Sequence, residues 1–142
     1  MTVGKRTAIA VLVGVLLLSW AACHRASTPT NGTLEGTSWT LIAYRKTRPI
    51  AGTTITAMFQ DGQVSGSAGC NSYRGPYTVS GSGISVGALA STKIACLDPE
   101  GAMAQETLFL ELLQKAQTFR LSDGQLQVFF SEHEALTFEL NQ

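Results

Sequence analysis

From Trp39 onward the chain alternates apolar and polar positions in short runs. Trp39, Leu41 and Ala43 alternate with Thr40 and Tyr44, a period of two that places successive side chains on opposite faces of a strand. Ile55, Ala57 and Phe59 interleave with Thr54, Thr56 and Met58. Gln60-Asp61-Gly62-Gln63 then predicts a tight hairpin turn into Val64–Ala68, because Asp-Gly accepts the positive φ angles such turns require. The glycine-rich stretch from Gly66 to Val86 predicts two short strands, around Tyr77–Val79 and Ile84–Val86, with Gly81-Ser82-Gly83 as their turn. Phe119 and Leu121 precede a second Asp-Gly signal at Asp123-Gly124. Leu126, Val128 and Phe130 share one face, as do Leu136, Phe138 and Leu140 beyond a turn at Glu132-His133-Glu134.

One segment changes period. Met103, Leu108, Leu112, Leu113 and Ala116 form an apolar face at helical spacing. Asp98 is the expected N-cap and Pro99 the first helical residue, where a missing N–H costs nothing. Glu100 and Glu106 suit the positive end of the helix dipole and Lys115 the negative end, with the helix closing near Gln117. Consecutive hairpins imply antiparallel pairing. The expected fold class is α+β: a single small β-rich domain, a twisted antiparallel sheet, partly barrel-like, with one main helix packed on it.

The first residues follow a different logic. Lys5 and Arg6 precede an apolar run from Ala8 to Leu18, and small residues lead to Cys23, the order of a secretory signal. The run is only 11 residues, short of the roughly 20 that a spanning helix needs. Ala21-Ala22-Cys23 resembles a bacterial lipobox, although Trp20 stands where that motif usually has leucine. A plain cleaved signal is the rival reading. The expected organisation is a lipoprotein signal peptide over 1–22, a flexible tether over 23–33 and a folded domain over 34–142. Cys23 is the expected lipidation site, and two or more acyl chains anchor stably at about 0.8 kcal/mol per buried methylene. The expected location is the cell envelope, lipid-anchored, and the outer membrane facing the periplasm in a Gram-negative cell. The tether is polar and rich in Ser, Thr, Pro and Gly, which suits a spacer.

Composition narrows the function classes. Lys5 and Arg6 leave with the signal while all 10 Asp and Glu stay, so the domain is slightly acidic. The absence of a basic stripe argues against nucleic acid. The two histidines, His24 and His133, fall in the tether and in a turn, and clustered ligands at metal spacing are lacking. Phosphate loops and dinucleotide fingerprints are also missing, so neither a metal nor a cofactor is expected. Cys70 and Cys96 remain after Cys23, and an oxidising compartment favours a disulfide between them. Closing a loop of about 26 residues contributes on the order of 3 kcal/mol on the chain-entropy account.

Certain residues recur in a specific order: Gly36-Thr37-Ser38-Trp39, Phe59, Asp61-Gly62, Gly66-x-x-Gly69-Cys70-Asn71-x-Tyr73, Gly75 and Tyr77. Thr92-x-x-Ala95-Cys96, Met103-x-x-Glu106, Phe109, Leu126 and Phe138 follow. Together they resemble the META domain, the family of HslJ-like heat-shock proteins, from about Leu34 to Leu140. The resemblance implies a small β-rich domain with one helix, found in envelope lipoproteins and linked to stress tolerance. It brings no catalytic residues. The family-motif residues it marks are Gly69, Cys70, Asn71, Tyr73, Thr92, Cys96 and Glu106.

These residues admit a structural and a chemical reading. In the first, Gly69 permits a sharp turn, Cys70 bridges to Cys96 and Asn71 hydrogen-bonds the turn. In the second, Cys70 is a thiol nucleophile or redox group, which needs a depressed pKa from a basic neighbour or helix N-terminus. A Cys70–His133 pair and a Glu106–Glu111 carboxylate pair are the other chemical options, with little in the spacing to favour either. Tyr73, Tyr77 and Phe129 are candidate outer-face aromatics for binding. The expectation is a non-enzymatic, membrane-anchored accessory or interaction module with an envelope protein partner. The alternatives are a small-ligand carrier with a barrel cavity and a thiol-dependent redox or acyl-transfer protein using Cys70. A packed interior of Trp39, Phe59 and Phe138 argues against the carrier, and a Cys70–Cys96 bridge against the thiol enzyme.

Overall fold

A computed structural model describes residues 33–141. The signal segment, Cys23 and all of the tether but Thr33 lie outside them. The elements are β1 (Thr37–Tyr44), β2 (Thr56–Gln60), β3 (Gln63–Ser67), β4 (Ser72–Ser80), β5 (Gly83–Val86), β6 (Ala90–Ser91), α1 (Ala102–Gln114), β7 (Thr118–Ser122), β8 (Gln125–Phe129) and β9 (Ala135–Leu140). The expected α+β class holds: one antiparallel sheet and one helix.

Both Asp-Gly signals make the turns they predict. Asp61 and Gly62 take φ of 54° and 70°, and Asp123 and Gly124 take 51° and 75°. Two positive φ angles in a two-residue loop match the right-handed twist of the flanking strands. The hairpins β2–β3 and β7–β8 pair in the register these turns set, Phe59 opposite Val64 and Leu121 opposite Leu126.

The strand order is β3-β2-β1-β9-β8-β7-β5-β4-β6, and β3 also pairs with β4. Eight strands therefore close a ring, and β6 follows β5 along the same flank of β4, with no strand paired to its other side among the described residues. Closure removes the edges that an open sheet would expose. The strand β1 bridges the two ends of the sequence through β2 and β9, with a bulge between Leu41 and Ala43 opposite Phe138 and Thr137.

One strand is longer than the sequence pattern suggested. β4 starts at Ser72 rather than near Tyr77, because Gly75 occupies an inward position and interrupts the apolar alternation. Tyr73, Gly75 and Tyr77 point inward while Ser72, Arg74, Pro76 and Thr78 are exposed. This corrects the expectation of outer-face tyrosines: Tyr73 and Tyr77 are buried. Burial of a large ring stabilises by roughly 1.5–3 kcal/mol, and inside the ring each finds an aromatic partner. Tyr73 meets Phe109 edge-on at 5.5 Å and Tyr77 meets Phe59 at 5.0 Å. Phe129 is half-buried, with the Arg120 guanidinium 5.5 Å from its centroid.

Trp39, Phe59 and Phe138 are each at most 1% exposed and fill the interior with Leu126, Val128 and Leu136. The helix adds Phe109, Leu112 and Leu113 to the same cluster. Its start differs from the predicted one. The helix begins at Ala102, and Gly101, at φ 85°, is the capping residue with no side-chain cap. Asp98 is exposed and precedes a cis peptide bond to Pro99. A short turn, Ala102 N–H to the Pro99 carbonyl, delivers the chain to the helix. A Cβ on Gly101 would lie 3.2 Å from Ile50 Cδ1, so both φ and space call for glycine there. The buried face is Ala102, Gln105, Glu106, Phe109, Leu112 and Leu113, while Met103 is exposed. Glu106 thus faces the interior of the domain instead of complementing the helix dipole at the surface.

Candidate functional site

The motif residues converge at one end of the ring. Gly69, Cys70 and Asn71 form the loop between β3 and β4. Thr92 and Cys96 lie on the segment after β6, and Glu106 comes from α1. Gly69 has φ 105°, and the Ala68 N–H donates to the Asn71 carbonyl at 2.7 Å, closing the loop. Asn71, 1% exposed, is the centre of the arrangement.

Its backbone N–H donates to Glu106 Oε2 at 2.7 Å, and its Nδ2 donates to Glu106 Oε1 at 3.0 Å. Nδ2 also donates to the Ile94 carbonyl at 3.0 Å, while Oδ1 accepts from the Ile94 N–H and the Thr92 hydroxyl, both at 2.8 Å. Thr92 Oγ1 in turn accepts from the Ser72 N–H at 3.2 Å. One amide side chain therefore ties the β3–β4 loop, the segment after β6 and the helix together. The Cys70–Cys96 disulfide, with Cα atoms 6.1 Å apart, adds a covalent tie between the same two segments.

A second polar contact on the helix escaped the sequence reading. Gln105 Oε1 accepts from the Ile50 N–H at 2.6 Å, and Nε2 donates to Thr53 Oγ1 at 2.9 Å. The residue is 4% exposed. Its signal was available: Gln105 stands four residues before Phe109 and so shares the buried face. Among the described residues every buried side-chain nitrogen and oxygen has a hydrogen-bond partner, which is what burial of polar groups demands.

Tyr73 sits beside this network. Its hydroxyl donates to the Thr56 carbonyl at 2.9 Å, and burial pushes its phenol well above the usual range. Tyr77 is at the other end of β4 and donates to Glu35 Oε2 at 2.6 Å. Burial first, then the Glu35 hydrogen bond and charge, raise the Tyr77 phenol. The same hydrogen bond, with the Asp61 N–H, holds the Glu35 carboxyl below its ordinary value.

The other chemical candidates stay apart from the network. His133 is almost fully exposed, 4.0 Å from Glu132, and Glu111 is exposed while Glu106 is buried. As a disulfide, Cys70 presents no thiolate, and both Glu106 oxygens accept from Asn71. What this arrangement does chemically is hold three segments in one geometry.

A family model described as META domain matches residues 32–142. None of the curated proteins matches the chain. An NMR structure of a protein from Burkholderia xenovorans is similar with a TM-score of 0.64 at 25% identity, over 83% of this chain and 97% of that one. A second NMR structure has a TM-score of 0.59 at 21% identity, over 74% of this chain and 89% of the other, and shows likeness of fold alone.

Proposed function

The chain belongs to the META domain family, and from that premise we propose that it is an envelope lipoprotein whose META domain acts as a non-enzymatic accessory or interaction module. The observation that carries this reading is the use made of the motif. Asn71, Thr92, Glu106 and the Cys70–Cys96 pair are spent on one another, so the residues that define the family build a rigid scaffold. Trp39, Phe59 and Phe138 occupy the interior that a small-ligand carrier would need for its cargo. The membrane anchor rests on the signal and lipobox pattern ending at Cys23. An oxidised Cys70–Cys96 pair suits an exported compartment.

The test is an intact mass of the protein taken from the membrane fraction, with and without reduction before thiol alkylation. The expected species begins at an acylated Cys23 and takes up alkyl groups at Cys70 and Cys96 only after reduction. A mature chain without lipid removes the anchor. Alkylation without reductant hands the argument to thiol chemistry at Cys70. Cross-linking in intact envelopes then tests the interaction role, which requires adducts between the folded domain and another protein.

A further inference from the structure

Eight strands of the ring have a neighbour on each side, whereas β6 pairs only with β4, Tyr73 opposite Ser91 and Arg74 opposite Ala90. The Thr92 N–H donates to the Ser72 carbonyl at 3.0 Å. In an antiparallel ladder the backbone groups alternate in direction, so the Ser91 N–H and C=O point away from β4. Among the described residues neither group has a backbone partner outside that ladder. This is an open sheet edge on a domain that closes its others.

The edge is also held still. The chain that continues from it is gripped at Thr92 and Ile94 by Asn71 and at Cys96 by the disulfide. That segment nevertheless turns its apolar side chains outward. Ile94 is 62% exposed and Leu97 91%, the two largest such exposures among the described residues. The face of the sheet beside it, across β3, β4 and β6, carries a groove of about 520 Å³ lined by small residues, Ser65, Gly66, Ser72 and Ala90, with Arg74 the one charged residue lining it. The exposed Lys93 adds a second positive charge next to the edge, its ammonium 3.2 Å from Ser91 Oγ.

Building on the interaction role above, we propose that the open edge of β6 receives an extended segment of another polypeptide, with apolar and acidic residues in alternation, which adds to the sheet as a strand. The N–H and C=O at Ser91 are left to solvent in the free protein, and strand addition supplies them with backbone partners. Carboxylates on the incoming segment complement Arg74 and Lys93, and its apolar residues cover Ile94 and Leu97. A second copy of this chain fits less well. It sets one positive rim, Arg74 and Lys93, beside another. The fixed geometry of the edge lowers the ordering cost of binding.

The experiment uses the full chain, isotope-labelled and purified in detergent, titrated with a capped heptapeptide alternating valine with aspartate. The expected result is saturable amide shifts confined to Ala90–Leu97 and at least tenfold slower hydrogen exchange at the Ser91 amide. A peptide with lysine in place of aspartate binds at least tenfold more weakly, and Arg74→Glu reverses that order. Ser91→Pro removes the donor and abolishes binding; Arg74→Glu keeps the test decisive if the proline variant fails to fold. Shifts elsewhere, none at millimolar peptide, or equal binding of both peptides overturns the proposal. So does a Ser91 amide already protected in the free protein, whether by residues 23–32 or, with concentration dependence, by a second copy. Envelope cross-links that form but avoid Ala90–Leu97 leave the interaction role standing and remove this edge from it.

Discussion

Glu106 accepts both the backbone N–H and the side-chain amide of Asn71, at 2.7 and 3.0 Å, in a site where Asn71 is 1% and Glu106 5% exposed. Each is the condition for the other's burial. Asn71→Ala leaves the carboxylate, the Ile94 backbone and the Thr92 hydroxyl short of partners. The expected loss is about 3 kcal/mol, in the range for stranding buried polar and charged groups. Glu106→Gln keeps the shape but turns an NH₂ group towards an N–H donor, with an expected cost of about 2 kcal/mol. Asn71→Asp sets two carboxylates together and is expected to be the most damaging of the three. Urea midpoints at constant slope measure all of them.

The disulfide and Asn71 hold the same pair of segments, so their contributions are expected to be coupled. Replacing Cys70 and Cys96 together by serine is expected to cost about 3 kcal/mol by removing a constraint on the unfolded chain. The domain is still expected to fold, because Asn71 keeps Ile94 and Thr92 in place. In the Asn71→Ala background the loss of the bridge differs from its cost in the parent by more than 0.5 kcal/mol, the signature of a shared element. A double-mutant cycle by denaturant unfolding reads this directly.

At alkaline pH the two buried tyrosines are the groups to watch. Both Tyr73 and Tyr77 have phenols raised above their ordinary value of 10.0, first of all by burial. A raised folded value means stability is fully present below pH 10 and is lost as pH climbs from there towards the folded values. Spectroscopic titration near 295 nm is expected to show these two phenols ionising only as the near-ultraviolet circular dichroism collapses. Tyr73→Phe removes the hydroxyl from the Thr56 carbonyl and shifts that collapse to higher pH, at some cost near neutrality.

The acid side has a smaller counterpart at Glu35. Its carboxyl is held below the ordinary 4.5 by the Tyr77 hydroxyl and then by the Asp61 N–H. A lowered folded value means the contribution is present above pH 4.5 and fades as pH falls through the lowered value. Glu35→Gln is therefore expected to be less stable than the parent at pH 6 and to converge with it at the most acidic pH. The gap is modest, because the group is exposed and water screens it. Thermal melts at several pH values, with Tyr77→Phe as the companion variant, check the assignment.

Much of the site is legible in the sequence. The resemblance to the META domain marks Gly69, Cys70, Asn71, Thr92, Cys96 and Glu106, and the structure brings these six together. The Cys70–Cys96 bridge is legible as well, but the role of Glu106 is not. Glu106 reads along the chain as an acidic residue near a helix start, and only the arrival of a loop 35 positions away makes it the acceptor for Asn71. Gln105 is not legible as a site residue, because a polar residue on a helix reads as exposed unless something distant requires it. Ile50 lies 55 positions from it in sequence. The inward positions of Tyr73 and Tyr77 are hidden for a related reason: Gly75 between them carries no side chain to mark the inward face.

What the sequence determined by itself is local. Period-two runs place the strands at β1, β2, β8 and β9, and Asp61-Gly62 and Asp123-Gly124 make their turns. Each depends on backbone preferences and side-chain alternation within a few residues. Tertiary structure decided which strands are neighbours, that β3 and β4 close the ring, and where the helix begins. It also decided that Asn71 and Glu106 share a buried site. Those outcomes depend on burial and hydrogen bonding between distant segments, and such free energies exist only once the chain has brought its partners together.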